Sequence, residues 1–387
     1  MIQFLLNQTL VREQQIDANT TVLNWLRQHK GRCGTKEGCA SGDCGACTVA
    51  LGRVVGGKMV YETVNSCLLP IGALDGKQLI TVEDLHQGDR LHGVQQAMVE
   101  SHASQCGFCT PGFVMSLFAL QKQGEGWDRE RAESALAGNL CRCTGYRPIV
   151  QAARIACERP ENDSFSQHEA ETVARLTALR QSTMSDVVTE NSRCVLPQNC
   201  AQLAELCLAH PEAVLLAGGT DLTLRITQQY QRLPLMIALE AVEELRAWEE
   251  TDEAIIIGAA VPLSECQRRL QQSVPAFSEM LHRFASLQIR NRGTLGGNIA
   301  NASPIGDASP MLLALDAELM LQRGDALRRL PLNAFFLGYR RTALQPGEFI
   351  RAIIIPKVTL SPDIRAWKVS KRSEDDISAV FAAFNLQ

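Results

Sequence analysis

Short runs in which apolar and polar residues alternate dominate the first eighty residues and predict β-strands. The runs IQFLLN and TLVREQQI flank the polar pair Asn7 and Gln8, which predicts a hairpin. Thr20 or Thr21 is placed to cap a short helix with an apolar buried side. A loop rich in glycine and cysteine follows at residues 31–47, before the strand-like runs TVAL and KMVYETV. These features predict a small, strand-rich module.

Residues 88–158 change to helical periodicity. One series at helical spacing consists of Leu91, Val94, Met98 and His102. Thr110 and Pro111 predict a helix start, since proline at the first helical position loses no hydrogen bond. Asp128 is placed to cap a further helix, and Pro148 to open a last one. The pattern predicts four helices packed as a small bundle.

A polar stretch at residues 159–190, with weak apolar periodicity, predicts a linker that contains one helical turn or more. From residue 191 onward, strand-like runs such as AVLLAG, LMIAL and AIIIGA alternate with helical runs such as NCAQLAELCLA and LSECQRRL. This alternation predicts a mixed α/β domain.

Composition narrows the functional classes. The chain has 387 residues, 45% of them hydrophobic and 21% charged, as expected for a globular protein of two or three domains. The net charge of −4 gives no basic excess for nucleic acid. No apolar run is long enough for a transmembrane helix. The start, MIQFLLNQTLVREQQ, lacks the features of a signal peptide, so we expect a cytoplasmic protein without membrane contact.

Cysteine usage points to metal chemistry. Ten of the 14 cysteines precede residue 158, and without an export signal a disulfide framework is not expected. A first set has the plant-type [2Fe–2S] spacing and consists of Cys39, Cys44, Cys47 and Cys67. The alternative is a zinc loop, but structural zinc uses paired knuckles, which this asymmetric spacing with interleaved glycines fits poorly.

A second set consists of Cys106, Cys109, Cys141 and Cys143. Its first pair precedes a predicted helix start and its second pair follows a predicted helix end. Four thiolates can therefore meet at one end of the bundle and hold a second cluster. We interpret the six other cysteines as small buried hydrophobic residues without a ligand role: Cys33, Cys157, Cys194, Cys200, Cys207 and Cys266.

Two glycine-rich segments stand out in the second half. LLAGGTDL, at residues 215–222, predicts a strand, a glycine turn and a helix, an arrangement that can present backbone amides to a phosphate. Residues 289–307 carry almost no apolar periodicity and predict a binding loop. Together the two loops could hold a pyrophosphate. The G-x-G-x-x-G fingerprint is absent, so a Rossmann cofactor site is not indicated.

The order of these motifs resembles the xanthine dehydrogenase family of molybdenum hydroxylases. The resemblance is carried by GCASGDCGAC, QCGFCTPG, NLCRCTGY, AGGTDL, TLGGNIANASPIGD, GYR and KRSEDDI, and it covers nearly the whole chain. It implies that this chain is the small subunit of such an enzyme, in which two [2Fe–2S] clusters and FAD share one chain. By this resemblance the first cysteine set lies on the FAD side, and the second lies nearer the molybdenum.

The resemblance also implies individual contacts. Gln105 would bond the pterin of a molybdenum cofactor held by a partner subunit. The loop residues that would contact FAD are Leu215, Leu216, Ala217, Gly218, Gly219, Thr220, Asp221, Leu222, Thr294, Leu295, Gly296, Gly297, Asn298 and Asp307. Three further contacts would be Phe284, Ile350 and Lys368. The residues alone would place Phe284 and Ile350 in the core and Lys368 on a solvated surface.

The implied layout is a multidomain α+β protein. It comprises a plant-type ferredoxin-like (β-grasp) domain at 1–85, a helical-bundle [2Fe–2S] domain at 86–160, a linker at 161–190 and an α/β FAD-binding domain at 191–387. The last is of the vanillyl-alcohol-oxidase/CO-dehydrogenase flavoprotein type. Family members continue with a further compact subdomain, whereas this chain stops at AVFAAFNLQ.

The implied reaction is oxidation of hypoxanthine or xanthine at a molybdenum centre on a large partner subunit. Electrons would pass through the two clusters and FAD to NAD⁺, in a heterotetramer or larger assembly. The catalytic residues for hydroxylation would lie on the partner. Two alternatives stay open: the equivalent subunit of an enzyme for aldehydes, nicotinate or other N-heterocycles, and a zinc-stabilised binding module without a redox role.

Overall fold

The computed structural model describes residues 1–159, 162–179 and 184–386. Residues 160–161 and 180–183, which belong to the predicted linker and its edge, and residue 387 lie outside this description. The described chain forms two compact units. The N-terminal unit comprises Met1–Arg193, Leu222–Arg232 and Ser286–Ile289, and the C-terminal unit comprises the remainder.

The secondary structure is mixed throughout. The strands, in chain order, are β1 Ile2–Leu6, β2 Thr9–Glu13, β3 Thr48–Val55, β4 Lys58–Asn65, β5 Gln78–Ile80, β6 Ser185–Val188, β7 Arg193–Leu196, β8 Val214–Leu216, β9 Leu235–Ala238, β10 Trp248–Glu250, β11 Ala254–Gly258, β12 Glu318–Arg323, β13 Ala326–Pro331, β14 Phe336–Gly338, β15 Arg341–Thr342, β16 Phe349–Pro356, β17 Asp363–Val369 and β18 Val380–Leu386. The α-helices are α1 Val22–Asn24, α2 Gly93–Glu100, α3 Thr110–Lys122, α4 Arg129–Leu136, α5 Arg147–Glu158, α6 Ser164–Gln167, α7 Glu169–Leu179, α8 Cys200–Ala209, α9 Leu224–Thr227, α10 Leu263–Ser273, α11 Pro275–His282, α12 Leu287–Arg290, α13 Leu295–Ala300 and α14 Ala308–Ala314.

The N-terminal unit begins with a mixed sheet in the order β2-β1-β5-β3-β4. The predicted hairpin is confirmed, since β1 and β2 pair antiparallel on either side of the turn at Asn7 and Gln8. β1 and β5 run parallel, and the other neighbours run antiparallel. Thr21 caps α1 by accepting a hydrogen bond from Asn24 N at 3.2 Å, as predicted, and Trp25 is fully buried behind that helix.

A helical module follows the sheet. α3 begins at Thr110 with Pro111 in its first turn, and the Asp128 side chain caps α4 by accepting from Arg131 N at 2.8 Å. Both starts were predicted from local rules. The first helix is shorter than predicted: α2 begins only at Gly93, so Leu91 is exposed, and His102 lies beyond the helix with a positive φ.

The polar stretch after the helical module holds more structure than a single turn. Asp163 caps α6 and lies buried between His92 Nε2 at 2.7 Å and Lys122 Nζ at 2.5 Å. α7 follows, with Leu176 buried. The hydrogen bonds from His92 and Lys122 outweigh burial and hold the pKa of Asp163 well below its usual range. This part of the stretch is therefore packed onto the N-terminal unit.

The C-terminal unit contains an antiparallel sheet in the order β10-β11-β16-β12-β13. β8 and β9 pair parallel, and β17 and β18 form a separate hairpin. The core between the large sheet and α10, α11, α13 and α14 is apolar and includes Ile257, Leu270 and Phe277. The predicted α/β alternation is confirmed here. Among the described helices, none combines the length and the apolar character needed to span a bilayer.

Gly45 provides a test of the N-terminal packing. Its φ is +69°, and an ideal Cβ would lie 2.2 Å from the carbonyl oxygen of Gly138. We expect Gly45→Ala to lower the free energy of unfolding by about 3 kcal/mol or more, because backbone strain and overpacking add. Urea unfolding of the purified chain measures this.

Gly56→Ala is the matched control, since Gly56 also has a positive φ but open space around the position of a Cβ. It should cost about 1–2 kcal/mol, from the backbone alone. Equal losses in the two variants would contradict the close contact at Gly45.

Candidate functional site

The register of β3 with β4 brings two cysteines of the first set together. Thr48 pairs with Asn65, so Cys47, just before β3, and Cys67, just after β4, are neighbours. Cys47 O accepts hydrogen bonds from Ser66 N at 3.3 Å and from Ser66 Oγ at 2.7 Å. Both thiols are buried. The strand pairing therefore places half of the first cysteine set.

The other half lies on the loop before β3. Ser41 N and Cys44 N each donate to Cys39 Sγ at 3.4 Å. The hydrogen bond from the Cys44 thiol lowers the pKa of Cys39 to about 4. A hydrogen bond from Cys67 likewise lowers the pKa of the buried Cys47 thiol. The first set is thus arranged as two thiol pairs, Cys39 with Cys44 and Cys47 with Cys67.

The second set is paired in the same way. The thiols of Cys109 and Cys141 are hydrogen-bonded to each other, as are those of Cys106 and Cys143. Burial, and after it the bond with Cys141, raises the pKa of the Cys109 thiol to about 12. The N–H of Cys141 donates to Tyr146 Oη at 3.0 Å, and this hydrogen bond closes the turn that carries Cys141.

This arrangement suits a centre that contains two irons. Within the described residues, no three His, Cys, Asp or Glu side chains gather into a group that could hold one metal ion. A [2Fe–2S] cluster held by four cysteines needs two thiolates on each of two irons. Each cysteine set provides two such pairs, and the amides at Cys39 Sγ are donors of the kind that tune a cluster. The residues present therefore fit the group.

The two cysteine sets differ in exposure. In the second set, Cys106 and Cys143 are exposed, as is Gln105, whose Nε2 donates to Cys143 O at 3.1 Å. Large apolar side chains around this pair are also exposed: Phe108 by 48%, Leu140 by 45% and Tyr146 by 40%. The second set therefore presents an apolar, sulfur-bearing face to its surroundings.

The two glycine-rich segments meet in the C-terminal unit. An ideal Cβ on Gly218, in the turn after β8, would lie 1.8 Å from Arg292 O, so only glycine allows this approach. Arg292 is itself held by two hydrogen bonds to Glu240, at 2.6 and 2.7 Å. The structure thus brings the turn after β8 beside residues 292–298.

Residues 289–307 are more ordered than a single binding loop. Thr294 caps the short helix α13 by accepting from Gly297 N at 3.1 Å, and Leu295 and Ile299 enter the core. The segment predicted to be a binding loop therefore also contributes two side chains to the core. Asn298 Oδ1 is buried without a hydrogen-bond partner among the described residues. A buried free acceptor beside the glycine turn fits a polar ligand such as FAD.

The remaining residues of the predicted flavin set are placed as follows. Leu222 belongs to the N-terminal unit, Phe284 is half-buried, and Ile350 is buried in the core of the C-terminal unit. Lys368 is not on a solvated surface. Its Nζ lies 2.7 Å from Asp307 Oδ2, and both side chains are only 4% exposed.

Ser378 completes this buried charge pair and was not singled out from the sequence. Its hydroxyl donates to both oxygens of Asp307 at 2.8 Å and lies 2.8 Å from Lys368 Nζ. Nothing in the local pattern around Ser378 signals this role, because its partner Asp307 lies 71 positions away.

The six other cysteines are free thiols. Four of them are buried, as expected: Cys194, Cys200, Cys207 and Cys266. Cys157 is half-buried. The interpretation of Cys33 as buried is wrong, since it lies exposed on the loop before the first set.

Comparison with known proteins identifies two families along the chain. Residues 81–154 match a [2Fe–2S] binding domain. Residues 189–358 match the FAD binding domain in molybdopterin dehydrogenase. These matches support the multidomain α+β layout.

Curated relatives match along the whole chain. The xanthine dehydrogenase/oxidase of Mus musculus is 34% identical over 426 residues, which cover 97% of this chain and 32% of that protein. The xanthine dehydrogenase of Drosophila subobscura is 34% identical over 443 residues, covering 100% of this chain and 33% of that protein. The chain thus spans about a third of the length of these relatives.

A solved structure with similarity is a carbon monoxide dehydrogenase from Hydrogenophaga pseudoflava that lacks the Mo-pyranopterin moiety of its molybdenum cofactor. It matches with a TM-score of 0.46 and 25% identity, covering 50% of this chain and 68% of that one.

The Lys368 and Asp307 pair can be tested directly. We expect Lys368→Met to lower the free energy of unfolding by about 3–5 kcal/mol, because it leaves the Asp307 carboxylate buried without its cation. Arg365→Met is the control, since Arg365 and Asp363 form an exposed pair on the same strand. That change should cost less than about 1 kcal/mol. A similar small cost for Lys368→Met in urea unfolding would contradict the buried pair.

Proposed function

We propose that this chain, which corresponds to the iron–sulfur and FAD portion of the xanthine dehydrogenases, carries electrons from a molybdenum centre on a partner subunit to NAD⁺. The substrate of the whole enzyme would be hypoxanthine or xanthine. The observation that carries the proposal is the arrangement of eight cysteine thiols in four pairs, two pairs in each set. The names of the relatives support the substrate class.

The bound groups would supply redox chemistry: clusters move single electrons, and a flavin can collect them in pairs for hydride transfer. The chain's own residues hold and tune these groups. Cys39, Cys44, Cys47 and Cys67 would ligate one cluster, and Cys106, Cys109, Cys141 and Cys143 the other. Backbone amides directed at Cys39 Sγ would stabilise the added negative charge on reduction.

The exposed face of the second set supports a partner at that side. Cys106 and Cys143 are exposed beside Phe108, Leu140 and Tyr146, an apolar surface of the kind that partners cover. We propose that the molybdenum-binding subunit docks there, with Gln105 at the pterin. Gln105 already has its amide nitrogen directed at Cys143 O, which leaves its carbonyl oxygen for a ligand.

The two glycine-rich segments would bind FAD through their backbones, which approach each other closely. The turn after β8 and residues 292–298 lie against each other, and Asn298 Oδ1 provides a free buried acceptor between polar loops. We propose that the pyrophosphate of FAD lies along these two loops. The buried ion pair of Asp307 and Lys368 would keep the loop around Gly306 in place beside Asn298, and the contact of these two residues with FAD stays a prediction.

Metal analysis of the purified chain tests the central assignment. Two [2Fe–2S] clusters predict about four irons and four acid-labile sulfides per chain and a brown protein. A colourless protein with about one zinc per four cysteines would establish the zinc-stabilised module instead. Co-purification of the partner subunit, followed by mass spectrometry and assays with purines, aldehydes and nicotinate, tests the substrate class.

Cys141→Ser tests the second set. We expect iron to fall from about four to about two per chain, because a hydroxyl replaces a soft thiolate ligand. One of two electron paramagnetic resonance signals should vanish. Cys157→Ser, in the same helical module but outside both sets, is the control and should retain both signals. Two intact signals in Cys141→Ser would remove Cys141 from the ligand set.

Gly297→Val tests the flavin loops. An ideal Cβ at Gly297 would lie 2.8 Å from Thr294 Oγ1 and 3.9 Å from Ala217 Cβ, so the added methyl groups enter the space between the loops. We expect FAD binding to weaken about tenfold or more. Ala300→Val, at an exposed position of the same helix, is the control. Normal flavin content in Gly297→Val would place FAD elsewhere.

A further inference from the structure

A buried polar cluster lies in the N-terminal unit where the loops of the two cysteine sets meet. Its members are Thr48, Ser116, Asn139 and Gln288, all between 0 and 2% exposed. They come from β3, α3, the turn after α4 and α12. Thr48 directly follows Cys47, and Asn139 precedes Cys141 by two positions. The cluster is therefore next to both candidate iron–sulfur sites.

Asn139 is at the centre of this cluster. Its Nδ2 donates to Gly45 O at 3.0 Å and to Thr48 Oγ1 at 3.2 Å. Its Oδ1 accepts from Ser116 Oγ at 2.7 Å and from Gln288 Nε2 at 3.0 Å. Two donors and two acceptors are the full capacity of an asparagine amide. No smaller or apolar side chain could satisfy all four neighbours at once.

The backbone beside Asn139 joins the two cysteine loops directly. Leu140 N donates to Cys44 O at 3.0 Å, so the peptide between Asn139 and Leu140 is bonded to the carbonyl of Cys44. An ideal Cβ on Gly112 would lie 2.2 Å from Gly45 O, so no side chain separates α3 from the first cysteine loop. Backbone therefore contacts backbone where the two cysteine loops approach each other.

We infer that Asn139 is a positioning residue that fixes the separation and orientation of the two iron–sulfur clusters. The inference rests on the proposed function, in which each cysteine set holds a cluster. Electron transfer between two centres slows steeply as their separation grows. Asn139 is neutral, so it holds the Gly45 carbonyl and the Leu140 amide in place without adding charge beside either set.

The test compares Asn139→Ala with the natural chain, both with their clusters reduced. Iron and sulfide content stay unchanged, while the magnetic splitting between the two reduced clusters becomes smaller and electron exchange between them becomes slower. The Leu140 amide exchanges its hydrogen about tenfold faster, because its bond to Cys44 O is less well held. The splitting is the decisive measurement, since it reports geometry and is independent of stability.

Asn199→Ala is the matched control. Asn199 caps α8 in the C-terminal unit by accepting from Gln202 N at 2.9 Å, so the variant loses stability without touching either cysteine set. Its splitting equals that of the natural chain. If Asn139→Ala is less stable but shows the natural splitting, or if its Leu140 amide exchanges at the natural rate, Asn139 is merely structural and the inference is overturned.

If Asn139→Ala does not take up iron, two milder variants test the role of Asn139. Ser116→Ala and Gln288→Met each remove one hydrogen bond to Asn139 Oδ1 and leave its two donor bonds in place. Each reduces the splitting to a smaller extent, and an unchanged splitting in both overturns the inference. A natural chain that contains no iron contradicts the proposed function, whereas iron-loaded chains with an insensitive splitting contradict this inference alone.

Discussion

Pairing of thiols across distant loops is the constraint on which the functional chemistry depends. A thiol on a free loop would have no fixed neighbour, and ordering it costs conformational entropy. Here the antiparallel register of β3 and β4 brings Cys47 and Cys67 to the same end of the strand pair, and the starts and ends of helices place the second set. Strand and helix formation already restrict the backbone at these cysteines, so the sulfur atoms are in pairs before any metal binds.

The two units use charge in different ways. In the N-terminal unit, neutral amides and hydroxyls join the cysteine loops, and the buried Asp163 is hydrogen-bonded to His92 and Lys122. In the C-terminal unit, ion pairs lie near the two glycine-rich segments: Asp307 with Lys368, which is buried, and Glu240 with Arg292, which is partly buried. The contacts that join the two cysteine loops through Asn139 are therefore neutral and add no full charge beside the thiols.

Predictions from local sequence rules were correct where the interacting residues lie close together in the chain. The helix starts at Thr110 and Asp128 follow from proline geometry and side-chain capping, and the hairpin at Asn7 follows from alternation. Cysteine spacing is also a local signal, since three of the four cysteines in the first set lie on one short loop. The family and the broad layout could therefore be identified from sequence.

The failures concern partners far apart in the chain. Lys368 looks like a surface lysine until Asp307, 61 positions earlier, is placed beside it. Gln288 joins residues more than 140 positions away, which periodicity within a window of residues does not capture. The segments Leu222–Arg232 and Ser286–Ile289 likewise group with N-terminal residues that are far away in the chain.

The unequal exposure of the thiols has a practical consequence for handling the protein. Cys106 and Cys143 face solvent as neighbours, whereas Cys47 and Cys67 are shielded. In a chain produced without iron, dissolved oxygen would reach the outer two first and join them as a disulfide, while the shielded two stay reduced for longer. Air would therefore oxidise the exposed pair before the buried pair, and reductant present from cell lysis onward would keep both pairs as thiols.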